Sequence, residues 1–309
     1  MTKGHDNTMD TRVLPRVSAV IITHDRCDLA VKAIESALAQ TYENMEVIVV
    51  DDASTAENSD RIRAFAEERG VSYIYIPKEQ SKGGNHARNV GAERADGELI
   101  AFLDDDDEWM PEKTAKQAAY LMNNRDHGVV SCLRVLEYNF KKRVNETAKY
   151  KIEGDIHNEI FTRIPFLTST IMIRKQLLEE IGGFDENLRY WQEYDLAIRF
   201  CQKTQVYILK EHLCLYRIIL KDKKRLSNNL EGWEEAVAYI NHKYDDLIQQ
   251  LPDDIKKKRS LLIAKDGQTR AKNAGLRKLE LRYGWSVVKL KPSFRNIVKL
   301  MLSFFGFKW

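Results

Sequence analysis

The feature that most limits what this chain can fold into is an alternation in its first 124 residues. Short, almost wholly apolar runs of strand length take turns with runs whose apolar residues recur at helical spacing. Residues 17–23 (VSAVIIT), 46–52 (EVIVVDD), 73–76 and 98–104 (ELIAFLD) read as strands. Between them, residues 28–40 carry Leu29, Ala33 and Ala37 at helical spacing, with Asp28 as the expected cap. Residues 57–69 form a second helical run stopped by Gly70, residues 83–95 a loop entering a helix, and residues 111–123 a helix with Pro111 in its first turn. Strands apolar on both faces, separated by helices, predict a mostly parallel sheet covered on both sides, a Rossmann-like α/β domain.

Past residue 124 the pattern is more mixed. Residues 129–136, 169–173, 206–209 and 213–218 read as strands, residues 178–183 as a helix end stopped by Gly182 and Gly183, and residues 194–201 as a further helix. The polar span 139–151 fits no element, and from Leu230 the chain reads as helices. A hydrophobic share of 43% suits a protein with a real core. No apolar run approaches the roughly 20 residues of a membrane-spanning helix. Residues 1–15 read as a polar, disordered tail without a hydrophobic signal core, which predicts a protein that stays in the cytoplasm. The four cysteines have no metal-ligand spacing and read as buried, reduced thiols.

In a parallel sheet, ligands bind beyond the carboxyl ends of the strands, so the residues that follow each strand carry the information. They are Thr23, His24, Asp25 and Arg26, then Asp51 and Asp52, then Asp104, Asp105, Asp106 and Asp107. Four adjacent carboxylates repel one another, and a divalent cation with a preference for oxygen ligands, Mg²⁺ or Mn²⁺, relieves that repulsion. The competing reading is a solvated acidic turn in which Asp107 or Glu108 caps the next helix. A carboxylate at Asp51 or Asp52 suits a base N–H or ribose hydroxyls, and suits an ordinary turn equally.

The run VSAVIITHDR, then EVIVVDDAS, then GGNHARNVGAERADGELIAFLDDDDEWMPEK resembles glycosyltransferase family 2, with its GT-A fold, over roughly residues 17–220. The resemblance implies an inverting, metal-dependent transferase that takes a sugar from a nucleotide diphosphate-sugar, with UDP the expected nucleotide. The acceptor it implies is a glycan or lipid-linked hydroxyl in cell-surface polysaccharide or glycolipid synthesis. It implies that Thr23 and Asp52 contact the nucleobase, that Asp51 shapes that pocket with Asp25 and Arg26 nearby, and that Arg88 faces the nucleotide-sugar. Asp104 and Asp106 are the first and third positions of the DxD motif; Asp104 or Asp105 holds the ribose, and Asp104 with Asp106 holds the metal. Where the family often reads Glu-Asp-x-Asp-Leu-x-x-Arg, this chain has Gln192-Glu193-Tyr194-Asp195-Leu196-Ala197-Ile198-Arg199, so Glu193 takes the general-base position. Asp195 competes for that role, and its place at a helix start with Arg199 four residues on favours a structural one. Trp191 and Asp195 stand nearest the expected acceptor, Trp191 as core or as a platform for a sugar ring. Arg225 to Asn229 matches a segment that closes over the diphosphate in the family, and reads equally as a basic loop. A sugar-nucleotide pyrophosphorylase is the first rival, but its glycine-rich loop after the first strand is missing; a binding protein that has lost its chemistry is the second.

The domain expected from these readings spans residues 16–229, with a nucleotide-binding half to about 124 and an acceptor half beyond it. Residues 230–309 form a basic helical region. From Ile255 to Trp309 there are 15 Lys/Arg against Asp266 and Glu280, a net +13, which leaves −10 for the rest of a chain whose formal total is +3. Phe294, Ile297, Val298, Met301 and Phe305 share one helical face, and Phe304, Phe307 and Trp309 add aromatic bulk. A basic amphipathic helix of this kind suits the inner face of an anionic membrane, or packs on the catalytic domain. No nucleic-acid module accompanies the charge.

Overall fold

The computed structural model describes residues 14–147, 153–218 and 230–305. The four early strands form as the sequence predicts: β1 (Val17–Thr23), β2 (Met45–Asp52), β3 (Ser72–Ile76) and β4 (Leu99–Asp104), with helices α1 (Cys27–Leu38), α2 (Ala56–Glu68) and α3 (Gly84–Arg94) between them. They are followed by β5 (Glu108–Trp109), α4 (Lys113–Asn123), β6 (His127–Tyr138), β7 (Lys142–Asn145), β8 (Glu153–Gly154), β9 (Met172–Arg174), α5 (Lys175–Glu180), α6 (Gln192–Cys201) and β10 (Gln205–Ile218). Five C-terminal helices follow: α7 (Leu230–Lys243), α8 (Asp245–Gln250), α9 (Asp253–Asn273), α10 (Arg277–Leu290) and α11 (Phe294–Phe305).

The sheet runs β3-β2-β1-β4-β9-β6-β10-β5. β1, β2, β3 and β4 pair in parallel. β9 is antiparallel to both β4 and β6, and β10 is parallel to β6, so six of the eight strands point the same way. The two runs expected at residues 206–209 and 213–218 are one strand, β10, with register shifts between Leu209 and Cys214. The strand expected at 169–173 begins later, at Met172, because residues 168–170 form a 3₁₀ turn. Part of the unassigned polar span, β7, is a hairpin strand on β6.

Both faces of the sheet are buried, which is why its strands are apolar without alternation. Val20, Ile48, Val50, Ile100 and Phe102 point to one core with α3 and α6. Ala19, Ile21, Val49, Ala101 and Leu103 point to the other, with α1 and α4. Gly91 lets α3 lie directly on the sheet, since a Cβ there would run into Val20. The C-terminal helices share the first core, to which Trp233, Ile240, Ile255 and Ala271 contribute. Asp28 does not cap α1: Arg26 is the cap residue, without a side-chain bond, and Asp28 pairs with Arg61 of α2 at 2.7 Å. All four cysteines are buried free thiols. No helix among the described residues is long and apolar enough to cross a membrane.

Candidate functional site

The chain leaves β1 toward β2 and β3 on one side, then returns to place β4 on the other, so a topological switch point lies between the ends of β1 and β4. Thr23 closes β1 and is buried; its Oγ1 donates to Asp105 Oδ2 at 2.9 Å. Asp25 then takes a left-handed backbone conformation, φ 55°, and Ala53 does the same after β2, φ 61°. These two turns are laced together. Asp25 N donates to Ser54 Oγ (2.8 Å), while Asp25 Oδ1 accepts from Thr55 N (2.7 Å) and Asn58 Nδ2 (3.3 Å). The Thr55 backbone bond holds the Asp25 carboxyl below its usual range. Asp25 therefore braces the turns through Oδ1.

Asp51 is fully buried, accepting from Tyr73 OH (2.7 Å) and from Ser54 N (3.0 Å). Its neighbour Asp52 is fixed through the main chain, where His24 Nδ1 donates to the Asp52 carbonyl at 2.6 Å. Asp52 Oδ1 is buried and has no hydrogen-bond partner among the described residues. Such an orphan costs about 1–3 kcal/mol, so a ligand N–H at that point would be held firmly.

The acidic turn divides by side. Arg88 Nη2 donates to Asp104 Oδ1 at 2.6 Å, and Arg88 is itself buried over the Phe184 ring, 5.3 Å from its centroid, with Nη1 on Asn85 Oδ1. Asp105 turns inward to Thr23 and Arg26 (3.1 Å); burial, only partly offset by Arg26, pushes its carboxyl up to about 6. Arg26 also reaches Asp106 Oδ2 at 3.4 Å. Asp107 does not cap α4, whose cap residue is Glu112 without a side-chain bond, and Glu108 sits in β5 instead. One Asp107 oxygen accepts from Arg217 N at 3.1 Å; the other, Oδ2, is buried and has no hydrogen-bond partner within normal distance among the described residues. Burial, then the Asp106 and Asp104 charges, push its carboxyl well above the usual range. Carboxylate oxygens of Asp104, Asp106 and Asp107 lie within 4.8 Å of one another. Three hard oxygen donors gathered so closely, with a buried Asp107 oxygen left unsatisfied among the described residues, fit Mg²⁺ or Mn²⁺.

Opposite stands the start of α6. Glu193 is partly buried, and Thr168 Oγ1 donates to its Oε1 at 3.3 Å. Desolvation pushes its carboxyl above the usual range; Arg88 pulls the other way, and Asp104 adds to the rise. Asp195 is wholly buried and saturated: it accepts from Arg199 Nη2 (2.6 Å) and Nε (3.0 Å), Lys243 Nζ (2.7 Å) and Tyr244 OH (2.7 Å). That closes it to an acceptor. Trp191 is not open to an acceptor either. It is buried against Tyr194 and Trp233, and its Nε1 donates to Asp266 Oδ2 at 3.1 Å.

The structure adds Arg217, at the end of β10, which sequence reasoning missed. It donates to the Asp106 carbonyl (3.2 Å) and Glu137 (2.9 Å), and pairs with Glu108, so it fixes the acidic turn from behind. A lone arginine in the strand-like run LCLYRI was its one signal. Ser169, whose Oγ accepts from Asp104 N at 3.2 Å, and Thr168 gave none. Residues 225–229 lie outside the described residues.

Residues 18–182 match the family described as Glycosyl transferase family 2. Among curated relatives, an uncharacterized glycosyltransferase of Rickettsia felis is 28% identical over 221 residues, 69% of this chain and 35% of that protein. The chain spans about a third of the length of the first such relatives. A Campylobacter jejuni protein named GalNAc(5)-diNAcBac-PP-undecaprenol beta-1,3-glucosyltransferase is 25% identical over 227 residues, 74% of this chain and 72% of that one. Two solved structures share the fold. S. aureus TarS 1-349 in complex with UDP-GlcNAc has TM-score 0.57 at 15% identity, covering 94% of this chain and 91% of that one. A mannosyltransferase from Pyrobaculum calidifontis in complex with GDP-Man and Mn²⁺ has TM-score 0.55 at 16% identity, covering 97% and 82%.

Proposed function

Since the chain belongs to glycosyltransferase family 2, we propose that it moves a sugar, with inversion, from a UDP-sugar to a hydroxyl of a glycan or lipid-linked acceptor. The setting is cell-surface polysaccharide or glycolipid synthesis, at the inner face of a membrane. One observation carries the reading: the three-carboxylate cluster at the end of β4 has within electrostatic reach, through Asp104, a desolvated carboxylate, Glu193. The similar fold of a protein solved with UDP-GlcNAc supports the donor class, and one solved with GDP-Man and Mn²⁺ supports a metal. The Campylobacter relative, whose name specifies a PP-undecaprenol-linked glycan, supports the acceptor class.

In this reading Asp52 Oδ1 accepts from the base, Thr23 borders the same pocket, and Asp104 or Asp105 meets the ribose. Asp104, Asp106 and Asp107 would hold Mn²⁺ or Mg²⁺, which supplies positive charge to the diphosphate leaving group. Arg88, held on Asp104, keeps that carboxylate in place. Glu193 takes the proton from the acceptor hydroxyl. The acceptor oxygen forms its bond to the anomeric carbon as the bond to the diphosphate oxygen breaks on the opposite face, and the nucleoside diphosphate leaves. The test is incubation with a panel of UDP-sugars and Mn²⁺ while free UDP is measured. Release of UDP that grows on adding a lipid-linked acceptor is expected. Pyrophosphate released from a nucleoside triphosphate and sugar phosphate would replace this reading with a pyrophosphorylase, and tight UDP binding without turnover would replace it with a binding protein.

A further inference from the structure

We propose that α10 and α11 form a face that lies on an anionic lipid bilayer. An ordinary surface helix buries its apolar stripe and shows its polar side to water. In α11 the order is inverted. The side turned to α10 carries Ser303, which is buried and donates to Glu280 at 2.6 Å, and Leu300, which packs over Gly284 of α10. Arg277 of α10 also donates to the Phe304 carbonyl, so this orientation is held by bonds at the far end of α11 as well. The outward side carries the large apolar residues. Phe294 is 85% exposed, Phe305 63%, Phe304 61%, Met301 54% and Ile297 43%, with Trp285 of α10 at 66%. The five on α11 fall within roughly 100° of the helix circumference. Exposed apolar surface concentrated on one face in this way marks a docking site.

Charge selects the occupant. Lys265 and Lys272 of α9, together with Lys291, Arg295 and Lys299, gather beside this face. Burial first, and then their mutual repulsion, hold Lys265 and Lys299 below the usual lysine range. The segment from Ile255 onward is +13 while the remainder of the chain is −10, so an anionic surface attracts this end of the molecule and repels the rest. Attraction by cations beside an inserted row of aromatic and aliphatic side chains is what a bilayer of anionic lipid offers. A second copy of the chain would set like charges against each other. Phe307 and Trp309, which the sequence adds to the same end, lie outside the described residues. The proposal rests on the sugar-transfer reading only for its purpose, so the two are separable by experiment.

The experiment uses the full chain with two vesicle types, phosphatidylcholine alone and phosphatidylcholine mixed with phosphatidylglycerol. Binding is followed by co-sedimentation and donor hydrolysis by UDP release in the same samples. The mixed vesicles should bind at least about tenfold more tightly than the neutral ones, and binding should weaken but persist as salt rises. Lys291→Glu with Arg295→Glu should abolish the preference for anionic lipid. Phe294→Ser with Met301→Ser and Phe305→Ser should remove the salt-resistant part while UDP release continues. Binding by the apolar variant equal to that of the unaltered chain, no binding to either vesicle, or a dimer in light scattering that the apolar variant splits would each overturn the proposal. UDP release without vesicle binding overturns the docking and leaves sugar transfer standing. Vesicle binding without UDP release supports the docking and removes the sugar-transfer reading.

Discussion

Glu193 and Asp195 stand two residues apart on α6 and meet opposite surroundings. Glu193 is partly buried with a hydroxyl donor, Thr168, on one oxygen, whereas Asp195 is enclosed by Arg199, Lys243 and Tyr244. Glu193→Gln should therefore keep nucleotide affinity and lose transfer by roughly 10²–10⁴-fold, the usual worth of a positioned base. The sign of the pH dependence follows from its raised carboxyl. A base works ionised, so kcat/KM of the unaltered protein should fall as pH drops through a value above the ordinary ~4.3 of a glutamate. That acid limb should be missing from the variant's pH–rate profile. Asp195→Asn should act on stability instead. It takes the carboxylate from Arg199 and leaves Lys243 with Asp185 alone, a loss of about 3–5 kcal/mol, read by denaturant unfolding. If Asp195→Asn stops transfer in a folded protein and Glu193→Gln does not, Asp195 is the base. The motif placed both carboxylates, but their division of labour depends on α7, more than 40 residues away, which no local pattern reveals. Trp191 misled for the same reason: an aromatic beside a base suits a sugar platform, and only the distant Trp233 and Asp266 make it core.

At the scale of elements, periodicity was a good guide wherever both faces of a strand are buried. The apolar runs of β1, β2 and β4 left no other reading, and their ends delivered Thr23, Asp52 and Asp104. It was a poor guide to the turns. Asp25, Ala53 and Trp191 all adopt positive φ without being glycine, held by hydrogen bonds from other turns and by packing rather than by local preference. The sequence pattern divides β10 in two because its polar middle sits at the register shifts, and its length brings Arg217 to the acidic turn. Arg217 holds the turn at two points: its guanidinium donates to the Asp106 carbonyl, and its main-chain N donates to one oxygen of the Asp107 carboxylate. Arg217→Leu should weaken apparent Mn²⁺ affinity by about 10–100-fold, the usual cost of losing an outer-shell support, and leave Glu137 and Glu108 without this partner. Titration of Mn²⁺ against UDP release checks it; an unchanged Mn²⁺ requirement would show that the turn keeps its shape without the Arg217 guanidinium.

At the scale of the molecule, the sheet order gathers three strand ends at one switch point, and the C-terminal helices hold α6 against it through Asp195 and Trp191. The cluster of Asp104, Asp106 and Asp107 is the centre of that assembly, and its chemistry makes sense as a counter-charge to a diphosphate. Asp106 is partly exposed, and neutralising it relieves repulsion with Asp107, so Asp106→Asn should unfold at the same temperature as the unaltered protein or slightly above it. The most direct measurement is UDP release from a UDP-sugar with Mn²⁺ by Asp106→Asn beside the unaltered chain. Release should occur with the unaltered chain and vanish both in the variant and on adding EDTA. Normal release by the variant, or full release by the unaltered chain in EDTA, would contradict the metal-assisted reading of the acidic turn.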